Sequence, residues 1–218
     1  MKLGKATVVT LKKGQTEIRL DHAELRRVLL ALRALEHETR QQIAALLDHG
    51  NWLNVTDIFV KLRAEQSIIS QHLAFLRQSQ LVLARRQGKF VFYTLHHAQR
   101  QKLSTLVESL SPTAAAVADR PEGTLHPRQL EQTHALMRAL AHPLRLRMLE
   151  YLDKNRSVNV NKIYKALKLE QSITSQHLRI LRAAGLVECR REGKFIFYSV
   201  AYQRLQEVIA ATGQYNRP

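Results

Sequence analysis

If residues 172–183 form a helix, Thr174, Leu178 and Leu181 share one face of it, and Gln171, Ser172, Ser175, Gln176 and Arg179 are turned to the other. A glutamine amide can bond adenine through two hydrogen bonds, an arginine can do the same for guanine, and serine suits bases or phosphates. The polar set is therefore equipped to read base edges in a DNA groove. The arrangement recurs 105 residues earlier, where Ile69, Leu73 and Leu76 make the apolar face and Gln66, Ser67, Ser70 and Gln71 the polar one, with Ala74 in place of Arg179. Each such helix is followed by three cations around a glycine: Arg85, Arg86 and Lys89 near Gly88, and Arg190, Arg191 and Lys194 near Gly193. Cations on a turn can reach phosphates or the minor groove. The plain alternatives are a solvated polar helix face and a solvated basic turn.

The whole chain supports an anionic partner. Its 218 residues carry 34 Lys and Arg against 18 Asp and Glu, a net charge of +16 and a pI near 10.5. The hydrophobic share is 45%, so most of the chain should fold, with room for two modest domains. No apolar run approaches the roughly 18 residues needed to cross a bilayer, and the N-terminus lacks the pattern of a signal peptide. The expectation is a cytoplasmic protein with no membrane partner. The single cysteine, Cys189, cannot make an intrachain disulfide and belongs to no CxxC pair.

Shifting the chain by 105 residues superposes it on itself without a gap. Ala34–Leu95 and Ala139–Val200 are identical at 29 of 62 positions, and Glu65–Tyr93 and Glu170–Tyr198 at 19 of 29. An offset without gaps means that equivalent loops have equal lengths, so both copies should share one backbone.

The elements that must position the polar faces follow from periodicity. Each copy opens with an amphipathic helix, one through Leu25, Val28, Leu29, Leu32 and Leu35 behind an Asp21 N-cap, the other through Leu130, Met137 and Leu140 behind Pro127. A second helix is expected over Arg40–Leu47 and Leu144–Leu152, a third over Val55–Leu62 and Val160–Leu167, and a fourth over Ser67–Gln78 and Ser172–Ala183. The pattern then alternates through a basic strand, a glycine turn and a Phe-rich strand, which reads as a β-hairpin. A fifth helix closes each copy. Ala6–Leu20 has no counterpart in the second copy and reads as an extra hairpin.

The expected organisation is an N-terminal extension over 1–20, a first repeat over 21–110, a linker over 111–127, a second repeat over 128–213 and a tail over 214–218. A short helix, a tight turn, a second helix and a hairpin make up the winged helix-turn-helix plan, in which the second helix of the pair enters the major groove. The fold class expected is mainly α with small β-hairpin wings, two such domains in tandem.

The segments ALAHPLRLRMLEYL and SITSQHLRILRAAGLVECRREGKFIFYSV, with their first-copy partners, resemble the ArsR-type family of bacterial winged-helix transcriptional regulators. The resemblance covers nearly all of both repeats and is strongest over Ser175–Val187 and the basic wing. It implies a dimer formed through first and last helices, bound to an inverted-repeat operator on double-stranded DNA and usually repressing it. Here one polypeptide would supply both subunits as a covalent pseudodimer, acting as a monomer or as a homodimer of tandem chains. The first copy departs from the pattern at Glu38, in place of Pro143, and at Gln78-Ser79-Gln80, in place of Ala183-Ala184-Gly185.

Members of that family often sense metals through cysteines on the third helix, but the matching segments here are Leu53–Asp57 and Val158–Lys162, with no thiolate. His96 and His97 start the fifth helix of the first copy, without the Asp-x-His spacing of the family's other metal sites. No cofactor and no metal site are expected. His134 stands where the first copy has Leu29, on a stripe that should be buried, and reads as an interface histidine, with a pH-sensitive contact as the alternative. No Walker loop, GxSxG, HExxH or carboxylate pair is present, so no enzymatic activity is expected. The competing reading is an architectural or interaction module that binds DNA nonspecifically, RNA or protein.

Overall fold

A computed structural model describes residues 8–48, 50–111 and 125–217. The N-terminal hairpin pairs β1 (Val8–Lys13) with β2 (Thr16–Asp21). The first repeat follows with α1 (His22–Leu35), α2 (Glu38–Leu47), β3 (Leu53–Asn54), α3 (Val55–Leu62), α4 (Gln66–Gln78), β4 (Val82–Gln87), β5 (Phe90–Leu95) and α5 (His97–Leu110). The second repeats the order with α6 (Pro127–Leu140), α7 (Pro143–Asn155), β6 (Val158–Asn159), α8 (Val160–Leu167), α9 (Gln171–Ala183), β7 (Val187–Glu192), β8 (Phe195–Val200) and α10 (Tyr202–Asn216). Ala6 and most of the linker, residues 112–124, lie outside the described residues.

Both repeats are winged helix-turn-helix domains with the same sheet topology. Each wing joins two long strands antiparallel, and a two-residue strand before the third helix pairs with the second of them, in the orders β3-β5-β4 and β6-β8-β7. The registers agree after the shift of 105, for example Val82 with Leu95 and Val187 with Val200. At each wing tip a two-residue loop has φ of +60° at Gly88 and +58° at Gly193, the first loop position, where a type II′ turn calls for glycine.

Helix boundaries have side-chain causes. Asp21 Oδ1 accepts from the Ala23 N–H at 2.9 Å, capping α1. The second helices begin two residues and one residue earlier than expected, at Glu38 and Pro143, because His37 and His142 act as N-caps. Asn54 and Asn159 cap α3 and α8, with Asp57 completing a capping box in the first copy. At its other end the tandem runs past residue 213: α10 continues to Asn216, and Tyr215 is buried.

Helices α4 and α9 both end in a Schellman arrangement. Leu81 N–H donates to Leu76 O and Gln80 N–H to Arg77 O, matched by Leu186 to Leu181 and Gly185 to Arg182. The motif requires a left-handed residue, and Gln80 adopts φ +62° where Gly185 has +67°. A Cβ in that region is unfavourable by about 1 kcal/mol. Gln80→Gly is therefore expected to stabilise the protein by about 0.5–1 kcal/mol, read by urea denaturation. A destabilised variant would contradict this assignment of strain.

The compact units do not coincide with the repeats. One unit takes Arg27–His134, and the other joins the chain before Arg27 to the chain after His134. The N-terminal hairpin thus belongs with the second repeat. Val9, Leu11, Ile18 and Leu20 on its apolar face are buried, with β1 along α7 and β2 against α10. The backbone N–H of Lys12 donates to Asp153 Oδ1 at 3.0 Å, and the Tyr202 hydroxyl donates to the same oxygen at 2.8 Å. Burial, then the hydrogen bond to Asp153, pushes the Tyr202 phenol up to about 12.

Candidate nucleic-acid interface

The third helix of each repeat packs on the fourth, and the fourth on the wing, which gives the helix-turn-helix pair a fixed base. The amphipathic division of the fourth helices is as the spacing predicts: Ile69, Leu73, Leu76, Thr174, Leu178 and Leu181 are all fully buried. Thr174 tolerates this position because its hydroxyl donates to Glu170 O at 3.0 Å. Gln66, Ser67, Ser70 and Gln71 on α4, and Gln171, Ser172, Ser175, Gln176 and Arg179 on α9, are exposed. Ser70 also donates back to Gln66 O at 2.8 Å.

The six wing cations, Arg85, Arg86, Lys89, Arg190, Arg191 and Lys194, are exposed as well. The middle arginine is held the same way in both wings, Arg86 Nε donating to Gly88 O and Arg191 Nε to Gly193 O. The outer arginines differ. Arg85 stacks over the Trp52 ring at 4.3 Å, whereas Arg190, with Ser157 in the equivalent place, pairs with Glu192. One wing arginine is thus oriented by a ring face that leaves its charge unneutralised, and the other is partly neutralised by a carboxylate.

Sequence reasoning passes over two features of this surface. Ile68 and Ile173, at equivalent positions among the polar residues, are 42% and 38% exposed. Two exposed isoleucines on the polar side of both fourth helices suit contact with thymine methyl groups. The other is the scaffold behind the helices. In the second repeat Arg145, 5% exposed, donates to Ala139 O at 2.5 Å and Arg138 O at 2.6 Å, satisfying carbonyls at the end of α6. Its guanidinium also meets His177 Nδ1 at 3.2 Å, and since it can only donate, that nitrogen accepts. In the first repeat Arg40 bonds Ala34 O and Arg33 O, each at 2.8 Å, and stacks on Phe75 of α4 at 4.6 Å.

A histidine pair completes each scaffold, His37 against His72 at 4.5 Å between ring centres and His142 against His177 at 4.9 Å. His37 and His142 each accept a backbone N–H through Nδ1, from Thr39 and Leu144 at 3.2 Å. Burial, then Arg145, His177 and His22, lowers His142 from 6.5 to about 4. Burial also lowers His72, with His37 and Arg40 adding to it, and lowers His177, with Arg145 adding to it. Between pH 6.5 and about 4 the unfolded chain therefore binds a proton at His142 that the folded chain does not. The group contributes stability above the unfolded value, and this is lost as pH falls toward the folded one. The thermal midpoint should drop across that window, and His142→Asn, which keeps an N-cap and removes the titration, should shallow the slope. An unchanged slope would place the acid sensitivity elsewhere.

The remaining candidates are engaged structurally. His96 Nδ1 lies 3.1 Å from Gln80 O, and His97 Nδ1 lies 3.5 Å from Asp48 Oδ1. Among the described residues, no three His, Cys, Asp or Glu side chains are grouped so as to hold a metal ion. His134, half-buried on its stripe, pairs with Glu36. Cys189 is half-buried at the base of the wing, opposite Tyr198. Among the described residues no helix is long and apolar enough to cross a membrane.

Comparison with known proteins matches residues 37–83 and 142–188 to the bacterial regulatory proteins of the arsR family. An uncharacterized HTH-type transcriptional regulator of Methanocaldococcus jannaschii is 39% identical over 79 residues, 36% of this chain and 89% of the relative. The transcriptional repressor PagR of Bacillus anthracis is 38% identical over 80 residues, 37% of this chain and 80% of the relative. The transcriptional activator HlyU of Vibrio cholerae is 36% identical over 84 residues, covering 38% and 77% respectively. The crystal structure of PagR aligns with 39% of this chain and 97% of its own at 34% identity, with a TM-score of 0.33. These relatives span about one repeat each.

Proposed function

This chain belongs to the arsR family of bacterial regulatory proteins and is a DNA-binding transcriptional regulator, and we propose that it acts as a repressor, one chain reading both halves of an imperfect inverted repeat. The observation that carries this is the doubled surface. Each repeat presents an exposed Gln-Ser-Ser-Gln face on its fourth helix and three cations on its wing, at one fixed offset. Gln66, Ser67, Ser70, Gln71, Gln171, Ser172, Ser175, Gln176 and Arg179 read bases, while the wing cations Arg85, Arg86, Lys89, Arg190, Arg191 and Lys194 hold phosphates or enter the minor groove. Repression follows the relatives that carry that name, PagR of Bacillus anthracis and SmtB of Mycobacterium tuberculosis.

A duplicated gene can diversify its half-sites as a homodimer cannot. Arg179 reads guanine on one side where Ala74 is silent on the other, so the operator has one half-site with an extra required base pair. Selection from random duplexes, followed by mobility shift at physiological salt, tests the reading. The expected result is a two-part site bound by one chain, at least about 10³-fold tighter than bulk DNA. No sequence preference would overturn DNA reading, and two chains per operator would overturn the single-chain mode. Alanine at Arg85, Arg86 and Lys89 should lower the slope of log K against log salt by about 0.9 for each phosphate that is no longer neutralised.

A further inference from the structure

The two compact units differ at one equivalent place. In the unit of the second repeat, β1 lies along α7 and β2 against α10, and Leu146 and Leu149 of α7 are fully buried there with Leu11 and Leu20. In the first repeat the residues equivalent to Leu146, Leu149 and Glu150 are Gln41, Ala44 and Ala45. Smaller side chains leave space, and a cavity of about 230 Å³ opens beside α2, with α5 and the start of α6 as its other walls. Leu35, Ala44 and Leu130 give it an apolar side, and Gln41, Asp48 and Arg100 a polar one.

The polar side defines what fits. Asp48 Oδ2 accepts from Arg100 Nη1 at 2.6 Å, and His97 Nδ1 lies 3.5 Å from Asp48 Oδ1. Gln41 donates its amide to Leu35 O at 2.5 Å. A guanidinium has five N–H donors, and the bond to Asp48 uses one of them, so Arg100 keeps charged donors suited to an anionic acceptor, and Gln41 keeps a second amide N–H beside them. A cavity of about 150 Å³ holds a benzene ring, so this one takes a ring and a few further atoms. We propose that the cavity binds a small organic acid, an aryl- or alkyl-carboxylate, with its carboxylate on Arg100 and its apolar body against Leu35, Ala44 and Leu130.

The site adjoins the scaffold of α4. Arg40, next in sequence to Gln41, bonds the end of α1 and stacks on Phe75 of α4. A ligand that moves α2 therefore moves the support of the base-reading face. That effector role rests on the DNA-binding reading above, whereas the binding site does not.

Isothermal titration of the full chain without DNA separates the two. 3-Phenylpropionate and octanoate should bind one per chain with Kd below about 1 mM, and neutral 3-phenylpropanamide at least about tenfold more weakly. Ala44→Leu, which supplies the residue the second repeat has there, should weaken the acids by about tenfold or more by filling the space. Arg100→Gln should bring 3-phenylpropionate to the affinity of the amide. Failure of both acids to bind at about 5 mM, binding unchanged in both variants, or two acids bound per chain would overturn the site. In a parallel mobility shift, saturating acid should change operator affinity by about threefold or more, and acid that binds without this effect would overturn the effector role alone.

Discussion

Alanine at both Gln71 and Gln176 is expected to weaken operator binding by about a thousandfold, with each single variant losing about thirtyfold. The two glutamines occupy equivalent exposed positions near the middle of α4 and α9, one residue before the histidine that packs on each scaffold. A bidentate amide-to-adenine contact contributes about 1–3 kcal/mol of discrimination, and two contacts in separate half-sites add because they share no partner. Neither glutamine is buried, so thermal stability should remain within about 0.5 kcal/mol of the parent. Fluorescence anisotropy against the selected operator and against one with the reading position changed provides the measurement. Each variant should bind the two duplexes alike in its own half-site only. Equal losses on operator and bulk DNA would assign the glutamines to the backbone instead of to bases.

The second large effect concerns the fold. Arg145→Met should destabilise the protein by about 3 kcal/mol, because three hydrogen bonds from a charged donor, to Ala139 O, Arg138 O and His177 Nδ1, are removed at no less than about 1.5 kcal/mol each while the methionine recovers part of the packing. For a chain of this length that corresponds to a fall in the thermal midpoint of about 6–12 °C. Arg145→Lys should recover less than half, since a single ammonium cannot span Arg138 O, Ala139 O and His177 as the planar fork does. The matching Arg40→Met should cost less, because Arg40 is more exposed and its bonds to Arg33 O and Ala34 O are longer. A change below about 0.5 kcal/mol in Arg145→Met would mean that water replaces the guanidinium at the end of α6.

How much of this is legible in the sequence depends on how local each feature is. The third helices and the wing strands are readable because apolar spacing, an asparagine cap and a glycine turn lie within a few residues of what they control. The start of the second helices is easily misplaced because a histidine is an uncommon N-cap, and its role depends on a neutral ring. The arginine scaffold is invisible for a different reason. Arg145 bonds carbonyls six and seven residues back, across the corner between α6 and α7, and no periodicity within either helix signals that contact. Ile68 and Ile173 look like ordinary apolar residues because a helical stripe does not say where its edge meets solvent.

The sequence by itself determined the duplication, the winged helix-turn-helix plan of each copy and the polar faces of α4 and α9, all of them consequences of local spacing repeated at one offset. Tertiary structure decided where the N-terminal hairpin lies and what His134 meets. Val9, Leu11, Ile18 and Leu20 form an apolar face that any exposed apolar surface could have covered, and only the packed structure assigns it to α7 and α10 of the second repeat. His134 on an apolar stripe is tolerable because Glu36, 98 residues away in sequence, reaches its ring. Both outcomes rest on contacts between distant segments, whose free energy depends on burial and pairing that exist only once the chain has folded.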